Sequence, residues 1–84
     1  MTLHRHLPGA RLAEAVVCNG IAWLAGQVPE NLDADAQAQT ANVLAQIDTV
    51  LRDLGSDKSQ VIDATIFLAD LADYDAMNAA WDAW

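Results

Sequence analysis

The sequence predicts an α+β fold, and three patterns along the 84 residues point to it. The pair Asn19-Gly20 separates two short apolar runs, which is typical of a β-hairpin. A stripe of apolar residues at helical spacing then extends to residue 54, and apolar residues alternate again at residues 61–68. With a second helix at the end, these patterns predict the element order β-β-α-β-α.

The hairpin is the most local of these signals. Residues 15–18 and 21–25 are apolar, and Asn19-Gly20 joins them. A two-residue type I′ turn needs positive φ at both central positions, and asparagine and glycine tolerate that conformation most readily. Gly26 then ends the second strand, and a polar loop follows. We therefore expect two antiparallel strands with a loop at their exit.

The long helix is predicted by a single apolar stripe whose members recur three or four residues apart. A carboxylate at Asp33 or Asp35 can accept hydrogen bonds from the first backbone N–H groups, and Gly55 lies where helices commonly end. These signals together predict a helix of about five turns. The stripe comprises Thr40, Val43, Leu44, Ile47, Val50, Leu51 and Leu54.

Residues 61–68 resemble a strand that a helix covers on one side. One face is wholly apolar, and the other mixes apolar and polar side chains, as expected for such a strand. A strand, a helix and a further strand in succession predict a right-handed crossover to a parallel neighbour. The apolar face comprises Ile62, Ala64, Ile66 and Leu68.

A second helix is expected to open at Asp70 or Asp73 and to reach Trp84. No glycine, base or polar cap follows its last turn, which leaves backbone carbonyls without partners. We therefore expect residues 1–84 to form one domain that continues beyond Trp84. The apolar face of this helix carries Tyr74, Met77, Trp81 and Trp84.

The composition bounds the class of protein. A chain with 54% hydrophobic residues and no long apolar segment is expected to be a soluble, globular, cytoplasmic protein without a membrane span. Its net charge is −8, and affinity for nucleic acid needs several bases acting together. The bases here are few and scattered, so we expect no nucleic-acid surface. They are Arg5, Arg11, Arg52 and Lys58.

No self-contained metal or catalytic cluster is visible in the sequence. His4 and His6 share a face if they lie on a strand, but no third histidine exists to complete a site. Cys18 is the only cysteine and has no cationic neighbour that would activate the thiol. Acidic residues near the second helix fit capping and the helix dipole. They are Asp70, Asp73 and Asp75.

Two amides remain as candidate binding residues on physical grounds. Gln27 follows the strand-ending glycine, which places its amide at the rim of the sheet. Asn78 interrupts the apolar stripe of the second helix beside Met77. Each amide can meet a ligand or simply face water.

Several motifs resemble the RidA (YjgF/L-PSP) superfamily. The chain carries the strand exit AGQVP, a QT pair opening the long helix, the segment LGSDKSQVIDATIFLAD and the ending YDAMNAAWDAW. They occur in order and at the family's spacing from about Arg11 onward. The chain is most similar to a divergent RidA-like subgroup.

The resemblance implies a chorismate-mutase-like α+β domain, with a mixed sheet and two helices on one face, here without its C-terminal strands. It implies a homotrimer with ligand clefts between subunits and no metal or organic cofactor. It also implies hydrolysis of a small enamine or imine, such as 2-iminopropionate, to a 2-keto acid and ammonia, with an ordered water attacking the imine carbon.

The resemblance assigns site residues one by one. Gly26 and Gln27 match the strand-exit motif, and Ala25 replaces its usual serine. Asn78 matches the asparagine of the second helix, and Trp81 falls where an aromatic residue is common near the cleft.

Two departures from the family concern catalysis. Leu12 stands at or near the position of an active-site tyrosine, which leaves Arg11 as a candidate anion contact. The family's catalytic arginine lies in a Pro-Ala-Arg segment that would follow Trp84, so no catalytic residue is assigned within the chain. The alternatives are a non-catalytic trimeric module that binds small carboxylates or partner proteins and, with less support, an endoribonuclease or translation inhibitor.

Overall fold

The computed structural model describes residues 2–84 as a three-stranded antiparallel sheet with two helices. The sheet order is β1-β2-β3, and two short 3-10 turns lie between the helices, at Lys58–Gln60 and Leu71–Asp73. The elements are β1 (Leu3–Pro8), β2 (Ala13–Cys18), β3 (Ile21–Leu24), α1 (Ala36–Asp53) and α2 (Tyr74–Ala83).

The hairpin prediction is confirmed. Strands β2 and β3 pair from Cys18 opposite Ile21 at the turn to Ala15 opposite Leu24 at the open end. Asn19 has φ 54° and Gly20 has φ 77°, as a type I′ turn requires. The turn residues therefore set the register of these two strands.

Strand β1 is an addition to the predicted order. It pairs antiparallel with β2, from Leu3 opposite Cys18 to Pro8 opposite Ala13. The polar residues at its centre gave no apolar alternation from which to predict it. The pairing has a direct consequence for the site, because it aligns Arg5 of β1 with Val16 of β2.

The prediction of a paired strand at residues 61–68 is wrong. This segment is joined to no strand, and Ile62 and Phe67 are 84% and 92% exposed. A cavity separates it from β3, so the predicted parallel pairing does not form among residues 2–84. A strand needs a partner for its backbone N–H and C=O groups, and this segment has none. The element order is therefore β-β-β-α-α, and the sheet is antiparallel. The predicted α+β class is confirmed.

Aspartate side chains cap α1 and the 3-10 turn that leads into α2. The Oδ1 atom of Asp35 accepts a hydrogen bond from the backbone N of Ala38 at 2.8 Å, so Asp35 is the cap of α1. Asp70 accepts from the backbone N of Ala72 and caps the 3-10 turn that leads into α2. Asp73 occupies the N-cap position of α2 without a side-chain bond.

The core lies where the helices pack together over the sheet. Val17 of β2 lines one cavity with Ile47 and Leu51 of α1, which places α1 on the same face of the sheet as Val17. His6 Nε2 lies 3.3 Å from Asp53 Oδ2 and links β1 to α1 on that face. The buried apolar residues are Ala15, Cys18, Leu44, Val50, Leu51, Met77 and Ala80.

Trp84 closes the end of α2 against α1. Its Nε1 donates to Asp48 Oδ2 at 2.9 Å, and its ring lies 5.4 Å from the ring of Trp81. The ammonium of Lys58 lies 5.5 Å from the centre of the same ring. These contacts give the last aromatic residue a polar partner and a cation above its face. Neither helix has the length and apolar character needed to cross a membrane.

Candidate functional site

The candidate site lies on the face of the sheet opposite the helices. Successive side chains of a strand point to opposite faces, so Val16 points away from α1 when Val17 points toward it. Arg5 lies opposite Val16 on one side, and Trp23 lies opposite it on the other. These three side chains form one row across the sheet. We call this face the outer face.

A pocket of about 510 Å³ opens over this row. Its rim is the loop between β1 and β2, which contributes Gly9, Arg11 and Leu12, and its opposite wall is the end of β3 with Ala25. Leu12 and Ala25 are the two positions at which this chain departs from the family that it resembles. The family has a tyrosine at or near the first position and usually a serine at the second. The fold therefore brings Arg11, Leu12 and Ala25 into one pocket.

The strand exit is fixed by Gln27. Its Nε2 atom donates to Ala25 O at 3.0 Å and to Glu14 Oε2 at 3.2 Å. Both amide hydrogens are engaged in this way, which leaves Oε1 as the atom that can accept a hydrogen bond from a ligand. Gln27 is half-buried at the end of the sheet, as predicted from its position after Gly26.

The other predicted residues do not line the outer-face pocket. Trp81 lines a larger cavity of about 970 Å³ between β3 and residues 61–65, and Gly26 lies at the edge of that cavity. Asn78 is half-buried on α2 and lines neither cavity. The five predicted ligand-binding residues are therefore not gathered in one pocket within residues 2–84: Arg11 lines the smaller one, Gly26 and Trp81 line the larger one, and Gln27 and Asn78 line neither.

Three residues of the site were not predicted as functional from the sequence. Arg5 and Trp23 flank Val16 in the row beneath the pocket, and Glu14 holds the amide of Gln27. The alternation of His4, Arg5 and His6 was the signal for Arg5, since a strand places Arg5 on the face opposite the two histidines. Among residues 2–84 no group of three metal-ligating side chains is placed to hold an ion.

Comparison with known proteins identifies the family. The model of the family described as Endoribonuclease L-PSP matches residues 2–84. The RutC family protein YoaB of Escherichia coli strain K12 is 58% identical over 84 residues, which is all of this chain and 73% of that protein. The chain belongs to the RidA (YjgF/L-PSP) superfamily.

Further relatives of this RidA-superfamily chain agree in sequence and in fold. A RutC family protein of Haemophilus influenzae is 49% identical over 85 residues, covering all of the chain and 73% of the relative. A crystal structure of a YjgF family member from Neisseria meningitidis superposes with a TM-score of 0.95 at 50% identity. That match covers the whole chain and 70% of the solved structure, and it supports the chorismate-mutase-like fold.

Proposed function

We propose that the intact protein to which this RidA-superfamily chain belongs is a deaminase that hydrolyses small reactive imines, such as 2-iminopropionate, to a 2-keto acid and ammonia. The observation that supports this most strongly is the pocket on the outer face. It contains Arg11, the candidate anion contact, together with Leu12, at or near the position of the family's active-site tyrosine, and Ala25, which replaces the usual serine of the strand exit. A guanidinium matches the planar carboxylate of such a substrate through paired hydrogen bonds.

The proposed reaction needs water and proton transfer but no protein nucleophile. Water adds to the imine carbon, so a carbon–oxygen bond forms and the electrons of the carbon–nitrogen double bond move to nitrogen. Proton transfer to nitrogen then allows ammonia to leave as the 2-keto group forms. Arg11 is proposed to hold the carboxylate throughout, and Gln27 Oε1 is proposed to accept a hydrogen bond from the imine N–H or the water.

The apolar walls of the pocket support this assignment. Leu12, Val16 and Leu24 line it together with the arginine side chains. The pocket is open in the single chain, where Leu12 is 63% exposed. If a neighbouring subunit covers it, the exclusion of bulk water strengthens an interaction between a guanidinium and a carboxylate, because the local dielectric constant falls. A substrate of three or four carbons fits such a pocket through one charged contact and a short apolar body.

We also propose that the protein acts as a homotrimer with its ligand clefts at the subunit boundaries. Three apolar side chains of the sheet are exposed to water, although the chain is strongly acidic. Leu3 is 48% exposed, Ile21 43% and Trp23 57%. Exposed apolar side chains that lie together mark contact surfaces. Packing of copies through the outer face would cover them and would enclose the pocket.

The assay for this proposal is ammonia release from imine generated in the same vessel by an amino-acid oxidase. Free imine hydrolyses in water, so the comparison is between reactions with and without the protein at equal oxidase activity. We expect faster release of ammonia and of the 2-keto acid when the protein is present. Equal rates with and without the protein would reject the deaminase.

A second candidate function is a non-catalytic module that binds small carboxylates. The specific observation in its favour is the chemistry of the pocket lining, which among residues 2–84 includes no acid, hydroxyl or imidazole side chain. Leu12 and Ala25 remove the two hydroxyl groups that the resemblance would supply. Calorimetry with 2-oxobutanoate separates the candidates, because heat of binding without imine turnover supports the module and excludes the deaminase.

Cleavage of RNA has little support from the charge distribution. The chain carries −8, and its bases lie at separate places in the fold. Arg5 and Arg11 line the pocket, Arg52 lies in the last turn of α1, and Lys58 lies over Trp84. Affinity for a phosphate backbone depends on several bases along one surface, and no such surface is present among the described residues.

A further inference from the structure

The segment that follows β3 is held in place largely by side chains of α1. Residues 25–35 form neither helix nor strand, and within residues 2–84 the last backbone bond from this segment to the sheet runs from Ala25 N to Glu14 O at 2.9 Å. Three half-buried amides of α1 contact the segment instead, and their spacing of three and four residues places them on one helix face. They are Gln39, Asn42 and Gln46.

Asn42 and Gln46 act as a pair. Asn42 Oδ1 accepts from the backbone N of Glu30 at 2.9 Å and from Gln46 Nε2 at 2.8 Å. Gln46 Nε2 also donates to the backbone O of Val28 at 2.8 Å. A backbone N–H can only donate, so it requires the oxygen of Asn42, and that oxygen in turn requires the NH₂ group of Gln46. The pair therefore fixes one backbone group on each side of Pro29.

These bonds restrain the backbone next to Gln27. On one side Gln27 follows Gly26, which has open space where a Cβ would lie, so that the backbone there rotates freely. On the other side it precedes Val28, whose carbonyl Gln46 holds. Loss of the Gln46 contact would leave a freely rotating glycine before Gln27 and an unanchored carbonyl after it.

Gln39 holds a different part of the same segment. Its Nε2 atom donates to Leu32 O at 3.1 Å and to Ala34 O at 2.7 Å, next to the cap of α1 and away from Gln27. The part of the segment that carries Gln27 therefore depends on Asn42 and Gln46, and the part next to α1 depends on Gln39.

We propose that Gln46, oriented by Asn42, is a positioning residue that holds Gln27 with its Oε1 atom free for the substrate. This inference rests on the proposed function, in which Gln27 Oε1 accepts a hydrogen bond from the imine N–H or the attacking water. An acceptor that is already in place costs no reorganisation during the reaction. Neither Asn42 nor Gln46 lines the outer-face pocket, so both act through Gln27.

The first test follows the side-chain amide of Gln27 by nitrogen-15 NMR in the intact protein, with its signal assigned from Q27E. The variant is Q46M, which keeps the length of the side chain and removes the donor, and the matched control is Q39M. We expect solvent exchange of the Gln27 amide to rise at least about fivefold in Q46M and to stay unchanged in Q39M. Equal exchange in the two variants would overturn the proposal.

The second test measures the acceleration of imine hydrolysis by the same variants. We expect about a tenfold loss in Q46M and in N42L, whereas N42D keeps the acceptor oxygen and should recover most of it. Q39M should retain the acceleration, although it also releases backbone groups of the segment. A loss in Q39M equal to that in Q46M, or a loss in N42D equal to that in N42L, would overturn the proposal.

The two tests separate this inference from the proposed function. No acceleration by the unmodified protein would reject the deaminase, whereas the exchange comparison would still decide whether Gln46 holds Gln27. If Q46M does not fold, the comparison of N42L with N42D gives the same information in both tests.

Discussion

Gln27 Nε2 lies 3.2 Å from Glu14 Oε2 and joins the exit of β3 to the neighbouring strand β2. The same amide donates to the backbone O of Ala25 at 3.0 Å. Both contacts are half-buried, and hydrogen bonds to a charged group in such surroundings contribute more than neutral ones at the surface. Gln27 therefore holds the segment after β3 against the sheet, beside the pocket that contains Ala25.

The first prediction concerns this hydrogen bond. Gln27→Glu places a second carboxylate beside Glu14 and removes the donor, so the two groups repel at neutral pH. We expect the free energy of unfolding to fall by about 1–3 kcal/mol at pH 7. The loss should shrink as the pH is lowered toward 4, because one proton shared by the pair restores a hydrogen bond. Urea denaturation across this pH range measures both effects.

The control for that change is Gln37→Glu at the exposed start of α1. It adds the same charge near a helix N-terminus, where a carboxylate is favourable. We expect stability at pH 7 to stay equal or to rise slightly. A similar loss in both variants would show that total charge, and not the contact with Glu14, determines the outcome.

The second prediction distinguishes two aspartates before α1. Asp35→Ala removes the side chain that accepts from the backbone N of Ala38, whereas no side-chain bond of this kind is made by Asp33. We expect Asp35→Ala to cost about 1 kcal/mol of stability and Asp33→Ala to cost less than half of that. Thermal unfolding followed by circular dichroism measures the difference. A larger loss from Asp33→Ala would contradict the assignment of the cap.

The third prediction compares two glycines. Gly20 has φ 77° in the hairpin turn, whereas Gly26 is outside the positive-φ region and has open space where a Cβ would lie. Gly26 belongs to the strand-exit motif, but the backbone at this position does not require glycine. We expect Gly20→Ala to destabilise by about 1 kcal/mol and Gly26→Ala to leave stability unchanged or slightly raised. Equal losses in chemical denaturation would contradict this reading of the two turns.

The fourth prediction concerns Asp57 before the first 3-10 turn. Hydrogen bonds from the Ser59 hydroxyl, and then from its backbone N–H, hold the pKa of Asp57 below its ordinary value of 3.8. The stability that this carboxylate contributes is complete above pH 3.8 and is lost as the pH falls through the lowered pKa. Ser59→Ala should raise the pKa toward 3.8 in an NMR titration of the carboxyl carbon. Ser56→Ala serves as the control, and a pKa of Asp57 unmoved by Ser59→Ala would count against the hydroxyl contact.

The fifth prediction concerns assembly through the outer face. If the protein is a trimer, light scattering should give three times the 9.0 kDa mass of the chain. Leu3→Lys puts a charge on the exposed apolar face of the sheet and should shift the population toward monomer. Leu32→Lys is the matched control, because Leu32 is 74% exposed in the loop before α1. Dissociation by Leu32→Lys alone would move the interface away from the sheet.

Local signals predicted the elements that local chemistry determines. Asn19-Gly20 favours a type I′ turn, and the helical spacing of the apolar residues from Thr40 to Leu54 predicts a helix. Strand β1 and residues 61–68 depend instead on whether a partner strand is available. The first found a partner in β2 despite a polar centre, and the second found none among residues 2–84 despite its alternation. Strand pairing therefore cannot be read from alternation alone.

The candidate site, like the fold, could be predicted from the sequence only where local signals determine it. Arg11 and Gln27 were identified because each is adjacent to a recognisable motif; Gln27 lies at the end of the sheet as expected, Arg11 lines the outer-face pocket, and their binding roles stay predictions. Arg5 was not identified, since its place beside Trp23 depends on the register of three strands. Register is a property of the folded sheet, and it was this property that assembled the pocket.

The decisive measurement is the rate of ammonia release from freshly generated 2-iminopropionate by the intact protein and by its R11Q and R52Q variants. Imine hydrolysis should be faster with the intact protein than in buffer; R11Q should lose at least about tenfold of that increment, and R52Q should retain it fully. The contrary result is a rate in R11Q equal to that in R52Q, or no increment over buffer in any of the three, and either outcome would remove the outer-face pocket as the site of an imine deaminase.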